Sequence, residues 1–205
     1  MPSHALLFTT PTCPHCPGVT AKLNTLLLEG AIAALEIVDA STNPERAQAL
    51  GVKSVPWFML GELQFEGVLS LGELRLWAER AARADGIKTY FFEMLKSGKR
   101  AQVEQRIRTH PQQSAVLGDL LLDDEASMAV RIGIGAVLEE LQGSDLLDAL
   151  VPKLAQILQD QEPRKRADAA HFLSLIATPE ALDALSNHLV DADPSVREIA
   201  QEALA

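Results

Sequence analysis

Ala5-Leu6-Leu7-Phe8-Thr9-Thr10-Pro11-Thr12-Cys13-Pro14-His15-Cys16-Pro17 opens with an apolar run, 5–9, short enough for a buried strand, and closes on two cysteines separated by two residues. Beyond them, residues 19–28 carry Val19, Leu23, Leu26 and Leu27 at helical spacing. The C-x-x-C pair therefore falls where a strand turns into a helix, and this placement has a chemical consequence. A thiolate at a helix N-terminus faces unpaired N–H groups and the positive end of the macrodipole, so its pKa falls and more of it is nucleophilic near neutrality. Cys13, nearer solvent, is the expected nucleophile, and Cys16, one turn inside, the resolving thiol. Pro14 suits a first helical turn, and Pro17 leaves the Cys13 carbonyl without its usual helical donor. His15, when protonated, favours the reduced, ionised pair and makes the couple more oxidising. Two other readings stay open for the pair: an inert structural couple, or soft metal ligands from Cys13, His15 and Cys16, which would need a fourth donor to close a tetrahedral site.

Outward from this stretch, residues 35–38 form a second strand candidate. A helix over 40–50 follows, with Ser41, Thr42 and Asn43 as candidate caps and Pro44 near its first turn. Residues 56–60 and 63–68 read as strands about a turn at Gly61-Glu62, and 71–82 as a closing helix. The order β-α-β-α-β-β-α predicts a mixed sheet with flanking helices, because β-α-β units favour parallel neighbours and a hairpin adds an antiparallel edge.

Composition changes near residue 90. Eight of the nine aromatics lie at or before Phe92, and Phe172 is the ninth. Residues 114–205 hold 16 Ala and 17 Leu and no convincing strand. Their helix-length blocks are punctuated by Thr178-Pro179-Glu180, Asp193-Pro194-Ser195 and the weaker Glu162-Pro163, each a capping residue before a proline. Three blocks run from an acidic turn through Arg131, Arg166 or Arg197 into an apolar helix, each after a leucine-rich helix at 117–122, 146–158 or 181–190. This period calls for stacked helix pairs. The arginines are expected to bond helix-end carbonyls, with a partner's carboxylates as the alternative. We therefore expect an α/β domain over 1–84 and an all-α repeat domain over 85–205, of which 85–113 is an atypical opening pair of helices or a linker.

The chain of 205 residues carries 18 basic and 28 acidic side chains, a formal charge of −10. Most of the excess lies in 114–205, with 6 basic and 17 acidic groups. That balance argues against nucleic-acid and anionic-membrane binding. The opening residues carry no secretion signal and no run is long enough to span a membrane, so a cytoplasmic setting is expected.

Residues 1–84, with the strand ALLFTT, Cys13-Pro14-His15-Cys16, the Ser54-Val55-Pro56 turn and the Glu66-Gly67 step, resemble the thioredoxin-like domains, nearer the short glutaredoxin-type members. The resemblance implies thiol–disulfide exchange, a cis peptide before Pro56 facing the reactive pair, and a Val55 backbone that pairs with an extended substrate. Trp57 is placed with them as a substrate platform, core packing being the alternative. The sequence departs from the family at Thr12, where thioredoxin has Trp, and at Leu7, where it has a buried acid. No dissociable cofactor is expected; a set of glutathione contacts does not match residue by residue. The segment DADPSVREIA at 191–200 and the region 114–205 around it resemble HEAT-type helical repeats, which implies a protein client or redox partner as ligand. The function expected is a thiol–disulfide oxidoreductase with an adaptor domain. Its rivals are a non-catalytic scaffold whose pair is a redox switch or relic, and a metal-handling module.

Overall fold

The computed structural model describes residues 2–123 and 126–205, and the chain forms two compact units, Met1–Tyr90 and Phe91–Ala205. In the first, β1 (Ser3–Thr9), β2 (Ile32–Asp39), β3 (Trp57–Leu60) and β4 (Leu63–Glu66) form one sheet in the order β2-β1-β3-β4. β1 pairs parallel with β2 and antiparallel with β3, and β3 antiparallel with β4. The helices are α1 (Cys16–Leu28), α2 (Pro44–Ala49) and α3 (Leu71–Ala81). This is the expected mixed sheet, and Gly61, at φ +56°, makes the β3–β4 turn.

Side-chain alternation along the strands builds two cores. On one face Phe58 stacks on Phe65, which meets Trp77 of α3 and Tyr90. On the other, Phe8, Val38 and Trp57 pack with Ala47 of α2. Tyr90 also donates its hydroxyl to the Gln64 carbonyl, which holds the helix α4 (Gly86–Lys96) to this unit as far as that residue. The unit division between Tyr90 and Phe91 thus falls inside α4, while the expected boundary at 84/85 lies just before it.

Several local expectations need correction. β2 starts at Ile32 rather than 35: Ala33 and Ala34 have little strand preference, but pairing with β1 along its whole length overrides it. α2 starts at Pro44, and Ser41, Thr42 and Asn43 do not cap it. Ser41 donates to the Asp39 carboxylate, while Thr42 and Asn43 donate to the Asp39 carbonyl, so the three fold the 39–43 turn instead. α3 carries a full capping box, Ser70 and Glu73 each accepting the other's backbone N–H.

The second unit is helical among its described residues. After α4 come α5 (Arg100–Thr109), α6 (Ala115–Leu121), α7 (Met128–Leu141), α8 (Val151–Ile157), α9 (Pro163–Ile176), α10 (Pro179–Ser186) and α11 (Pro194–Ala203), with 3-10 turns before α6 and α8. Residues 85–113 are thus the helix pair α4–α5 and the turn after it. The leucine-rich helices α6, α8 and α10 stack in one layer and the arginine-bearing α7, α9 and α11 in the other. Gly118 permits α6 and α8 to approach closely: a Cβ there would meet the Lys153 Cβ at 2.7 Å.

Each repeat arginine does what its helix needs at the entrance. Arg166 donates to the carbonyls of Asp160 and Gln161, and Arg197 to those of Asp191 and Ala192, six and five residues before in both cases. Arg131 donates to the carbonyls of Leu121 and Asp123. Asp124 and Glu125, the rest of the acidic turn before α7, lie outside the described residues. Thr178 and Asp193 cap α10 and α11 as expected, whereas Glu162 makes no side-chain cap to α9.

Candidate active site

β1 delivers the chain to a turn in which the Cys13 N–H donates to the Thr10 carbonyl at 3.2 Å. Cys13 and Cys16 are joined by a disulfide, their Cα atoms 5.5 Å apart. The Cys16 N–H also donates to the Cys13 Sγ at 3.1 Å. α1 begins at Cys16, with His15 as its N-terminal flanking residue and Pro17 in the first turn. Pro14 therefore lies before the helix, contrary to expectation, and Pro17 holds the first-turn place. The reason is the missing N–H of Pro17: the Cys13 carbonyl has no i+4 donor, and the first helical bond runs from Val19 to His15.

Cys13 is half-buried, while Pro14 and His15 are exposed. Cys16 is 3% exposed. One sulfur is thus open to a bimolecular attack and the other is shielded from it. Cys13 Sγ stands at the N-terminus of a 13-residue helix with a backbone N–H already aimed at it, and both favour the thiolate once the pair is reduced. Leu7, where the family carries an acid, is wholly buried and offers no proton acceptor.

The peptide bond between Val55 and Pro56 is cis. Pro56 is buried, and its carbonyl accepts the Gly67 N–H, which anchors the turn to the far end of the hairpin. Val55 is half-buried, and its backbone makes no hydrogen bond among the described residues. Trp57 stands opposite Phe8 in the β1–β3 register, and just beyond that pair Val55 and Thr10 line one pocket. Trp57 itself is 0% exposed and packs edge-on against Phe8, so its side chain is core and offers a substrate no platform. Strand alternation is the cause: with Phe58 facing α3, Trp57 must enter the opposite core.

Thr10 and Lys53 escape sequence reasoning as site residues. Both line the same pocket as Val55, but they converge on it only through the antiparallel register of β1 with β3. Among the described residues no three His, Cys, Asp or Glu side chains are grouped to hold a metal ion. Among the described residues no helix is long and apolar enough to cross a membrane.

A half-exposed and a buried cysteine on a strand-to-helix turn, beside a cis-proline turn in a β2-β1-β3-β4 sheet, define a thioredoxin-like redox module, here followed by a helical repeat array. Comparison with known proteins agrees: the thioredoxin-domain family matches residues 6–79, and the HEAT-repeat family residues 114–205. A curated thioredoxin from Methanocaldococcus jannaschii is 33% identical over 63 residues, covering 30% of this chain and 74% of that protein. The chain belongs to the thioredoxin family.

Proposed function

We propose that the protein is a thiol–disulfide oxidoreductase that acts on protein clients. The observation carrying this reading is the asymmetry of the pair: Cys13 is open and receives the Cys16 N–H, while Cys16 is buried behind it. In the reducing direction the Cys13 thiolate attacks a client disulfide, forming a mixed disulfide and expelling one client thiolate. Cys16, losing its proton to water or to the departing thiolate, then attacks the Cys13 sulfur and releases the second client thiol. Two electrons pass to the client and the Cys13–Cys16 disulfide remains. The same steps reversed oxidise a client dithiol, the direction following the relative potentials. Pro14 and His15 tune the pair, Val55 and Pro56 position the substrate, and the exchange needs no dissociable cofactor.

HEAT repeats commonly mediate protein–protein interaction, and here α7 presents Met128 and Ile132, 61% and 65% exposed and one turn apart. This surface supports a role for the repeats in holding a client or a redox partner, in a cytoplasmic setting. Turnover assays test both halves. Cys13→Ser should abolish disulfide reduction, and Cys16→Ser should arrest it as a mixed disulfide visible by non-reducing gel. Met128→Glu with Ile132→Glu should slow turnover of a protein disulfide but not of a small one. Full activity of Cys13→Ser would refute the enzyme reading.

A further inference from the structure

β2 lies at one side of the sheet, with β1 as its neighbour on the inner side. The Ala40 N–H donates to the Thr9 carbonyl. Backbone groups alternate sides along a strand, so those of Glu36 and Val38 face β1 as well, while the N–H and C=O of Leu35 and Ile37 face away from the sheet. Ala33, which the register shift leaves without a partner on β1, adds to this outward row. Among the described residues nothing bonds these three backbones on the outer side. The row is closed at both ends: the Ala31 N–H donates to the Leu26 carbonyl, and the Asp39 carbonyl accepts the Asn43 N–H and the side chains of Thr42 and Asn43. What stays open is the stretch 33–37, centred on Leu35.

Proteins guard such an edge by keeping it short, by covering it, or with lysine and proline. The opposite edge of this sheet is guarded: β4 has four residues, and its Gln64 carbonyl takes the Tyr90 hydroxyl. β2 has eight residues and carries neither lysine nor proline. Ala33 and Ala34 are exposed and Ile37 is 48% exposed. The one charge within 33–37 is Glu36, whose carboxylate is held by Arg46 of α2. Residues 1–84 carry 6 basic and 8 acidic groups, so charge in this unit does little to keep two edges apart.

We infer that β2 pairs antiparallel with the β2 of a second copy of this chain, about a two-fold axis at Leu35. In that register Leu35 exchanges hydrogen bonds with Leu35 of the second copy and Ala33 with Ile37, while Glu36 stands opposite Ala34. The neighbouring registers fail. An axis at Glu36 sets two carboxylates directly opposite each other, and an axis at Ala34 carries Ile37 to Ala31, whose N–H is already given to Leu26. Charge and the closed ends of the row thus select one self-complementary pairing, which satisfies both open edges with the same residues and closes as a dimer. It joins two four-stranded sheets into one. Since β1 runs parallel with β2, the two Cys13 turns point to opposite ends of the joined sheet and both stay open.

The test is sedimentation equilibrium of the full-length chain, together with residue-resolved amide exchange. Two short strands bury little surface, so the dimer is weak and the concentration series runs up to about 1 mM. Ala34→Glu, which places a carboxylate opposite Glu36 of the second copy, should weaken dimerisation roughly fivefold, and Ala34→Lys should strengthen it by a similar factor, each pair occurring twice by symmetry. The Leu35 and Ile37 amides should exchange more slowly in the dimer and recover their fast exchange on dilution. The Val38 amide, bonded to β1, should stay protected throughout and reports that the sheet is intact. A chain that stays monomeric over the whole series overturns the inference, whether its edge stays open or takes the strand of another protein. So does a dimer whose Leu35 and Ile37 amides exchange as fast as the monomer's, or one that both Ala34 substitutions shift in the same direction, since either result places the contact elsewhere.

Discussion

Cys13 and His15 sit two residues apart, one half-buried and one exposed, and the proposed tuning role of the second can be tested on the first. A protonated imidazole stabilises the reduced, ionised pair over the neutral disulfide and so raises the potential of the couple. His15→Ala should therefore make the midpoint potential more negative by about 30 mV, equivalent to a tenfold change in the exchange constant. A redox titration against a glutathione buffer measures it, and an unchanged potential would sink the tuning role. The two sulfurs were legible because their chemistry is set within one turn of chain. Trp57 was not, since only the face of the strand distinguishes a buried indole from a platform, and a one-residue change of register exchanges the two.

At the scale of the element, helix ends show where local chemistry suffices and where it is overruled. Thr178 and Asp193 cap α10 and α11 because a polar side chain before proline has few other N–H groups within reach. Ser41, Thr42 and Asn43 have the same composition but are drawn to Asp39, whose carboxyl is held below the usual range by the Ser41 hydroxyl and N–H. The C-terminus of α9 is a place where the sequence is not optimal. Ala177 closes the helix in the left-handed region, at φ +51°, its N–H donating to the Leu173 carbonyl. A Cβ is disfavoured there and the side chain is exposed, so Ala177→Gly should stabilise the repeats by about 1 kcal/mol. Thermal unfolding of the two proteins side by side checks this, and a lowered midpoint would contradict the backbone argument.

At the scale of the whole molecule, the repeat array depends on a polar clasp between α9 and the loop before α11. Arg166 donates twice to the Asp191 carboxylate, at 2.9 and 2.7 Å, and the Asp193 N–H and His188 add to it. The side chains are 13% and 6% exposed. The Arg166 hydrogen bonds hold the Asp191 carboxyl well below the usual carboxylate range against the opposing effect of burial, with the Asp193 N–H and His188 helping. The folded protein thus binds this proton less readily than the unfolded chain. The stabilisation is complete above the unfolded value of about 4 and is lost as pH falls below it through the folded value. Asp191→Asn should cost roughly 3 kcal/mol at neutral pH by leaving a shielded guanidinium without its carboxylate, the Asp160 and Gln161 carbonyls being its remaining acceptors. The variant should lose less further stability than wild type between pH 4 and pH 2. Parallel stability curves for the two proteins over that interval would show that the clasp carries no linked proton.

Much of this protein is written in short-range pattern. The strand-to-helix turn at Cys13, the β-α-β-α-β-β-α order, the helix pairs and the carbonyl-bonding arginines all follow from periodicities and spacings of a turn or two. There the backbone's own geometry dictates which groups meet. Tertiary structure alone decided which face each strand residue occupies, that β2 extends along all of β1, that Arg166 finds Asp191 25 residues away, and that Thr10, Lys53 and Val55 line one pocket. Those outcomes depend on which strands and helices lie side by side. That choice is made by burying the most apolar surface at once, a property of the assembled chain that no single segment contains.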